Sequence, residues 1–225
     1  MSTGDSLSRP GLDAIFGCMN DTLRNDETPL KLVVVLGSVR QGRFGPVITR
    51  WFLDEVRKHG RFDIDLLDLA ETPLPLALPP GSTELQNVQG RPADMIALAA
   101  RLDAADAFVL VTPEYNHSFP ASLKHLIDWH YTQWKAKPVS FVCYGGLGGG
   151  LRAVEQLRLV LAEMHAVGLR DVVSFDRHWE HFDEGGQLRN PEGACDAAKT
   201  LLDRLTWWGT TLREARHTRP YDSAA

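Results

Sequence analysis

The chain has 225 residues, of which 44% are hydrophobic and 24% are charged, and its formal net charge at pH 7 is −5. These values are ordinary for one globular domain with a full core, and they exclude disorder for most of the chain. A mildly acidic chain lacks the basic face that nucleic acid or an anionic membrane requires, so neither is expected as a partner. We find no apolar run long enough to span a bilayer and no signal-peptide pattern, and the expected compartment is the cytoplasm. The cysteines (Cys18, Cys143 and Cys195) are far apart and odd in number, which predicts neither a disulfide framework nor a metal cluster.

Composition divides the chain into three predicted parts. Residues 1–29 are rich in Ser, Asp, Asn and Gly and form an N-terminal arm, in which Leu12–Leu23 is a candidate helix. Residues 30–215 form the domain, and residues 216–225 form a C-terminal tail.

The first strand of the domain and the loop that follows it are the most informative feature. Leu32–Leu36 is a continuous apolar run, as in a buried parallel strand, and it ends at Gly37 and Ser38. An apolar periodicity that begins at Phe44 then predicts a helix. Unpaired amides at a helix N-terminus bind anions, and glycine lets a ligand approach the backbone closely. The loop of residues 37–45 therefore predicts a phosphate site, the alternative being a tight turn with its charges in water.

The side chains of this loop favour an isolated phosphate monoester. Ser38 offers a hydroxyl, and Arg40 and Arg43 offer forked cationic donors. Neither the P-loop pattern nor the G-x-G-x-x-G fingerprint of dinucleotide sites is present. A nucleotide or flavin with a single phosphate is therefore a better candidate than a pyrophosphate.

The later elements alternate between strands and helices. Further strands are predicted at Phe62–Leu67, Ala107–Thr112, Pro138–Cys143 and Asp171–Phe175. Helices are predicted at Ala93–Ala104, Pro120–Trp129, Leu151–Ala166 and Pro191–Arg213. This alternation predicts an α/β fold, a parallel sheet with helices on both faces. Five strands suit the flavodoxin-like, doubly wound order 2-1-3-4-5, whose ligand lies beyond the carboxyl ends of the strands. A proline-rich connection at 73–92 and an irregular loop at 176–190 complete the domain.

Two further loops are predicted at the same edge of the sheet. Residues 112–120 combine bracketing prolines with aromatic and amide side chains, which suits the edge of a flat heterocycle. The alternative is an ordinary loop in which Asn116 and Ser118 cap the next helix. Residues 145–150 are glycine-rich, which favours close backbone approach to a ring, the alternative being a flexible turn.

These motifs resemble the NADPH-dependent FMN reductase family, which includes flavin-dependent quinone, azo-dye and chromate reductases. The resemblance covers roughly residues 31–170, with three motifs in the family's order, and it implies a flavodoxin-like fold that holds FMN. The residues that would contact FMN by this resemblance fall into three groups. The phosphate would be held by Ser38, Arg40, Arg43, Phe44 and Gly45. The isoalloxazine ring would be lined by Pro113, Glu114, Tyr115 and Asn116, and its pyrimidine edge would meet Tyr144, Gly145 and Gly146. Many relatives carry Ser or Asn where this chain has Arg43 and Gly45.

The implied activity is that of an NAD(P)H-dependent oxidoreductase. NADPH or NADH would deliver hydride to flavin N5, and a quinone, free flavin or similar small acceptor would then take the electrons, with no side-chain nucleophile and no metal required. Two alternatives stay open, a flavin reductase that supplies FMNH2 to a partner monooxygenase and a non-catalytic, flavodoxin-like electron carrier. The arginines of the phosphate loop and the loop Pro113–Asn116 favour the reductase over the carrier.

Other residues are assigned structural roles. His178 and His181 form an H-x-x-H pattern without a convincing third ligand, which favours a polar loop over a metal site. The resemblance implies a homodimer or homotetramer, and we expect the aromatic run Trp129–Tyr131 to lie near the open ring at a subunit contact.

Overall fold

The computed structural model describes residues 28–72, 74–75, 77 and 92–222. Five strands in these residues form one parallel sheet: β1 (Leu30–Leu36), β2 (Phe62–Asp68), β3 (Ala107–Pro113), β4 (Pro138–Tyr144) and β5 (Val167–Phe175). Their spatial order is β2-β1-β3-β4-β5, which confirms the predicted flavodoxin-like order 2-1-3-4-5. The strands β3 and β4 are buried along their whole length, which explains why they read as continuous apolar runs.

Helices cover both faces of the sheet. One face carries α1 (Gly45–His59) and, after the short helix α5 (His178–His181), the long α6 (Pro191–Thr218). The other face carries α2 (Ala93–Asp103), α3 (Ala121–Trp129) and α4 (Leu151–Glu163). Successive strand residues point to opposite faces, so Val34 belongs to the first core and Val35 to the second. Among the described helices, none combines the length and the apolar character that crossing a bilayer requires.

Three element boundaries differ from the predicted ones by three residues or more. Strand β5 begins at Val167 rather than Asp171, because a register shift against β4 interrupts its apolar pattern. Helix α4 ends at Glu163 rather than Ala166, since His165 has a left-handed φ of 55°. Helix α6 continues past Arg213 to Thr218, because neither glycine nor proline occurs between Arg213 and Pro220.

The two ends of the chain differ in how much of them is described. The candidate helix Leu12–Leu23 and nearly all of the N-terminal arm lie outside the described residues, as does most of the 73–92 connection. Near the C-terminus, Tyr221 Oη lies 2.9 Å from His165 Nδ1, and Lys135 forms a 2.8 Å ion pair with Asp222. The division into arm, domain and tail stays a prediction.

Candidate functional site

The loops that follow β1, β3 and β4 meet at the carboxyl edge of the sheet. The chain leaves β1 toward α1 on one face and leaves β3 toward α3 on the other, which opens a crevice between these neighbouring strands. The first of these loops lies tightly against α3. Ser122 Oγ donates a hydrogen bond to the Gly37 carbonyl, and a side chain on Gly37 would collide with Leu123 at 2.7 Å. The predicted position of the ligand site is therefore where the topology leaves an opening.

The loop of residues 37–45 presents a group of unpaired backbone amides. Gly37 N donates to Val111 O and Arg43 N donates to Arg40 O, but the amides of residues 38–42 donate to no described carbonyl. Helix α1 begins directly after the loop, without a side-chain cap and without an acidic residue in its first turn. Unpaired N–H groups at the positive end of a helix attract an anion, so the backbone here fits a phosphate.

Two buried hydroxyl groups lie beside this loop. Neither Ser38 Oγ nor Tyr144 Oη has a hydrogen-bond partner of good geometry among the described residues. Both lie close to Gly45, where an added Cβ would overlap Ser38 Oγ and would come within 2.9 Å of Tyr144 Oη. Burial raises the pKa of Tyr144 to about 12, an effect that the nearby Ser38 hydroxyl partly offsets, so the phenol is neutral. Because buried hydroxyls rarely stay unpaired, these two fit the polar atoms of a bound phosphate or ribityl chain.

The two arginines of the loop have different environments. Arg43 Nη1 and Nη2 each donate to one oxygen of the Asp68 carboxylate at 2.6 Å, and Nη1 also donates to Ser38 O. The hydrogen bond to Asp68 raises the pKa of Arg43. Burial works against the Asp68 carboxylate, but its hydrogen bonds outweigh burial and hold the pKa of Asp68 below its usual value. Arg40 is exposed, and its guanidinium lies 5.2 Å from the centre of the Tyr115 ring.

The loop after β3 is held in one conformation by α4. Tyr115 and Ser118 exchange two backbone hydrogen bonds, and between them Asn116 and His117 have φ angles of 49° and 71°. Gln156 Nε2 donates to His117 O at 2.7 Å, and its amide oxygen accepts from Ser118 Oγ. Helix α3 begins without a side-chain cap, so the alternative in which Asn116 and Ser118 cap it is wrong. The loop is instead a tight, left-handed turn braced from outside.

The glycine turn after β4 is tied to this loop by an ion pair. Glu114 accepts from Arg152 Nη1 at 2.7 Å, at the first turn of α4. Gly149 and Gly150 have φ angles of 58° and 89°, conformations for which glycine is preferred.

The two glycines predicted to meet the pyrimidine edge have different surroundings. The Gly145 amide donates to Phe175 O at 3.1 Å and therefore belongs to the sheet. A Cβ on Gly146 would meet nothing within 4 Å, and the Gly146 amide donates to none of the described backbone carbonyls. Gly146 is thus the one of the pair whose backbone faces open space.

The segment after β5 also reaches the site, which the sequence analysis missed. The His178 ring lies 4.7 Å from the Phe44 ring and 5.1 Å from the Tyr144 ring, centre to centre. Its Nδ1 lies 3.2 Å from the Gly145 carbonyl, and Arg177 N donates to Gly146 O at 2.9 Å. Burial lowers the pKa of His178, which favours the neutral ring. The closely spaced aromatic residues at 178–182 were the only signal that this loop packs against the domain.

The structure also places two other groups of residues that the sequence singled out. The aromatic run Trp129–Tyr131 lies away from the three loops, because the Tyr131 ring is 6.2 Å from the ring of His165, just before β5 begins. Trp129 and His130 are buried within the chain, and Trp129 Nε1 donates to Pro75 O at 3.0 Å. In the part of the chain that the structure describes, no three His, Cys, Asp or Glu side chains are grouped to hold a metal ion.

The predicted contact residues lie on the three loops of this edge or, for Gly45, Pro113 and Tyr144, at the ends of the flanking elements, and their assignment to FMN stays a prediction. Comparison with known proteins gives the same family as the resemblance. The profile of the family described as NADPH-dependent FMN reductase matches residues 30–180. An NAD(P)H-dependent FMN reductase of Schizosaccharomyces pombe is 37% identical over 120 residues, which are 53% of this chain and 60% of that protein. A quinone reductase of Escherichia coli is 34% identical over 143 residues, covering 61% of this chain and 72% of that protein.

A solved structure is similar in fold. The flavoenzyme NAD(P)H:(acceptor) oxidoreductase of Paracoccus denitrificans has a TM-score of 0.64 and 22% identity, with 81% of this chain and 98% of that chain covered. The match to the S. pombe relative spans 60% of that relative's length, whereas the family profile covers more than half of this chain. On the family profile and the identity to the E. coli protein, the chain belongs to the NADPH-dependent FMN reductase family.

Proposed function

We propose that the chain is an FMN-dependent oxidoreductase that uses NADPH or NADH. When bound, FMN supplies the redox chemistry, taking hydride from the nicotinamide and passing electrons to a small acceptor. The observation that carries the proposal is the buried Ser38 hydroxyl, which has no hydrogen-bond partner of good geometry among the described residues. Beside it, at the N-terminus of α1, lie loop amides that donate to no described carbonyl. Membership of the family supports the same cofactor.

The residues of the first loop would bind the phosphate. The amides of residues 38–42 and the Ser38 hydroxyl would donate hydrogen bonds to its oxygens, and Arg40 would add a positive charge. The start of α1 would be kept close to these donors by two residues. Phe44 packs on His178, and Gly45 has no room for a side chain.

The residues of the other two loops would hold the ring. Tyr115 and Asn116 lie on a turn that Gln156 fixes, and Pro113 and Glu114 place that turn directly after β3. The open Gly146 backbone would face the pyrimidine edge, where preorganised N–H donors stabilise negative charge on a reduced ring. The neutral Tyr144 phenol can donate one further hydrogen bond.

A quinone is the acceptor that we favour. The E. coli relative is a quinone reductase, which supports this acceptor. A flavin reductase that releases FMNH2 to a monooxygenase is the second candidate, supported by the name of the S. pombe relative.

We also propose that the chain forms a homodimer or homotetramer and acts in the cytoplasm, where NADPH and NADH are supplied. Support for self-association comes from Leu147 and Leu151, which are 85% and 46% exposed beside the site. Light scattering should give the mass of a dimer or tetramer, and a fully active monomer with bound FMN would contradict this part of the proposal.

Anaerobic reduction of the FMN-loaded chain by NADPH and by NADH tests the main proposal. We expect bleaching of the flavin absorbance, then reoxidation by a quinone with ping-pong kinetics. Faster turnover with free FMN than with quinones would favour the flavin reductase. If neither nicotinamide reduces bound FMN, the chain is an electron carrier or binding protein and the proposal is wrong.

A further inference from the structure

We infer that Asp68 is a positioning residue of the phosphate loop. Its ion pair with Arg43 is a neutral brace, and it leaves Arg40 as the side-chain cation that meets the FMN phosphate. The inference rests on the proposed function, and it assigns different roles to two arginines that the sequence pattern treats alike.

The geometry of Arg43 is that of a structural arginine. Both terminal nitrogens donate to Asp68, and Nη1 also donates to the backbone carbonyl of Ser38. The Arg43 and Asp68 side chains are only 16% and 14% exposed. These contacts use three of the five guanidinium N–H donors, and the carboxylate compensates the positive charge, which leaves little attraction for a second anion.

The brace joins the loop to the neighbouring strand. Asp68 is the last residue of β2 and pairs with Leu36, the last residue of β1. Its Oδ1 also accepts from Ala70 N at 3.0 Å, which fixes the carboxylate from its own side. Through Arg43, this fixed carboxylate holds the Ser38 carbonyl, and with it the turn whose amides face the phosphate position.

The charges at this edge single out Arg40. Arg43 is paired with Asp68, and Arg152 is paired with Glu114. Arg40 forms no ion pair with any residue in the described ranges, and its side-chain contact there is with the Tyr115 ring. A neutral pair contributes little net field at a distance, so the uncompensated guanidinium of Arg40 supplies the attraction for a phosphate.

The electrostatics of the brace predict a rescue. Removing Arg43 alone leaves a partly buried, unpaired Asp68 carboxylate near the phosphate, which repels it and loosens the loop. Removing the Asp68 charge as well restores neutrality, and a Gln–Asn pair can still form one hydrogen bond. If Arg43 instead contacted the phosphate, the second substitution would not restore that lost contact.

The test is fluorescence titration of FMN and of riboflavin, which lacks the phosphate, into four forms of the full chain. These are the wild type, Arg40→Gln, Arg43→Gln and the double variant Arg43→Gln/Asp68→Asn. We expect Arg40→Gln and Arg43→Gln each to weaken FMN binding about 10-fold or more, with little change for riboflavin. The double variant should recover FMN binding to within about threefold of the wild type, because the lost interaction is with Asp68 and not with phosphate.

Failure of the inference and failure of the proposed function give different results. If the wild type prefers FMN over riboflavin and the double variant loses that preference, Arg43 contacts phosphate and the inference is wrong. If the wild type binds neither ligand, the proposed function fails. Thermal unfolding checks that each variant is folded. If Arg43→Gln does not fold, the double variant still tests the inference, because it buries no unpaired charge. The inference is supported if the double variant still prefers FMN over riboflavin, and it is wrong if that preference is lost.

Discussion

At the scale of single residues, a substitution at Gly146 should affect ligand binding without affecting folding. It has an ordinary negative φ, and a Cβ there would have nothing within 4 Å, so Gly146→Val should leave the thermal unfolding temperature nearly unchanged. The same side chain would occupy the space proposed for the pyrimidine edge of the ring. We therefore expect FMN affinity to fall about 10-fold or more, measured by fluorescence titration.

The neighbouring glycine gives the matched control. A Cβ on Gly145 would lie 3.2 Å from both Glu114 Cβ and Gly150 N, so Gly145→Val should lower the unfolding temperature as well as FMN affinity. Unchanged FMN binding in a folded Gly146→Val variant would mean that the ring does not lie against this turn.

Residue identity in the loops was predictable where a local pattern carries it. The Gly37–Gly45 loop lies between a buried strand and a helix, and local sequence was enough to predict that position. The partner of Arg43 was not predictable, because Asp68 is 25 positions away and meets it only through strand pairing. The hydrogen bond from the Gly145 amide to Phe175 O was not predictable either, because it depends on the β4–β5 register. Without knowledge of that bond, the sequence pattern assigned the amide to the ring edge.

At the scale of elements, helix α4 supports the loop after β3, which we call the ring loop because its proposed role is to hold the flavin ring. Gln156 provides the two side-chain hydrogen bonds that hold the turn at His117 and Ser118. Gln156→Ala should relax this turn, and since the turn would contact the ring rather than the phosphate, FMN and riboflavin affinities should fall by the same factor. Titration of both ligands measures this factor, about 3- to 10-fold for hydrogen bonds of ordinary strength.

Glu163→Ala, an exposed change at the end of the same helix, is the control and should alter neither affinity. If Gln156→Ala lowered the affinity for FMN but not for riboflavin, the proposal that the loop after β3 contacts the ring and not the phosphate would be wrong.

Most helices and strands were predictable, because the hydrophobic periodicity of their sequences matches the pattern of buried residues in the structure. Strands β3 and β4 are buried on both faces and flanked by turn residues, so their apolar runs leave little ambiguity. Strand β5 mixes exposed and buried residues around a register shift, and its first half was therefore missed. The segment of residues 176–190 has no hydrophobic periodicity, so its position could not be predicted from the sequence. The structure shows that His178 in this segment packs on Phe44 and Tyr144.

At the scale of the whole molecule, we expect a buried lysine at the edge opposite the site to make stability depend on pH in the alkaline range. Lys137 Nζ donates to the carbonyls of Leu102 and Asp103 at the end of α2, and the residue is 5% exposed. Burial lowers its pKa to about 8 from 10.5. Between these values the unfolded chain holds more protons than the folded one, so this group raises the free energy of unfolding as pH rises through that window.

Denaturant unfolding of the wild type and of Lys137→Met at pH 7.5, 8.5 and 9.5 measures this effect. The free energy of unfolding of the wild type minus that of the variant should increase with pH by up to about 1 kcal/mol per pH unit. A difference that stays constant or shrinks with pH would show that the carbonyls and nearby Asp103 and Asp106 keep Lys137 charged.

The central claim is that the loop after β1 binds the phosphate of FMN, and titration of FMN against riboflavin tests it most directly. The wild type should bind one FMN per chain and should prefer it over riboflavin. Arg40→Gln should lose about 10-fold or more in FMN affinity and little in riboflavin affinity, while Arg204→Gln, an equal charge change on the exposed side of α6, should match the wild type. Equal losses for both ligands in Arg40→Gln, or a wild type without preference for FMN, would contradict the account.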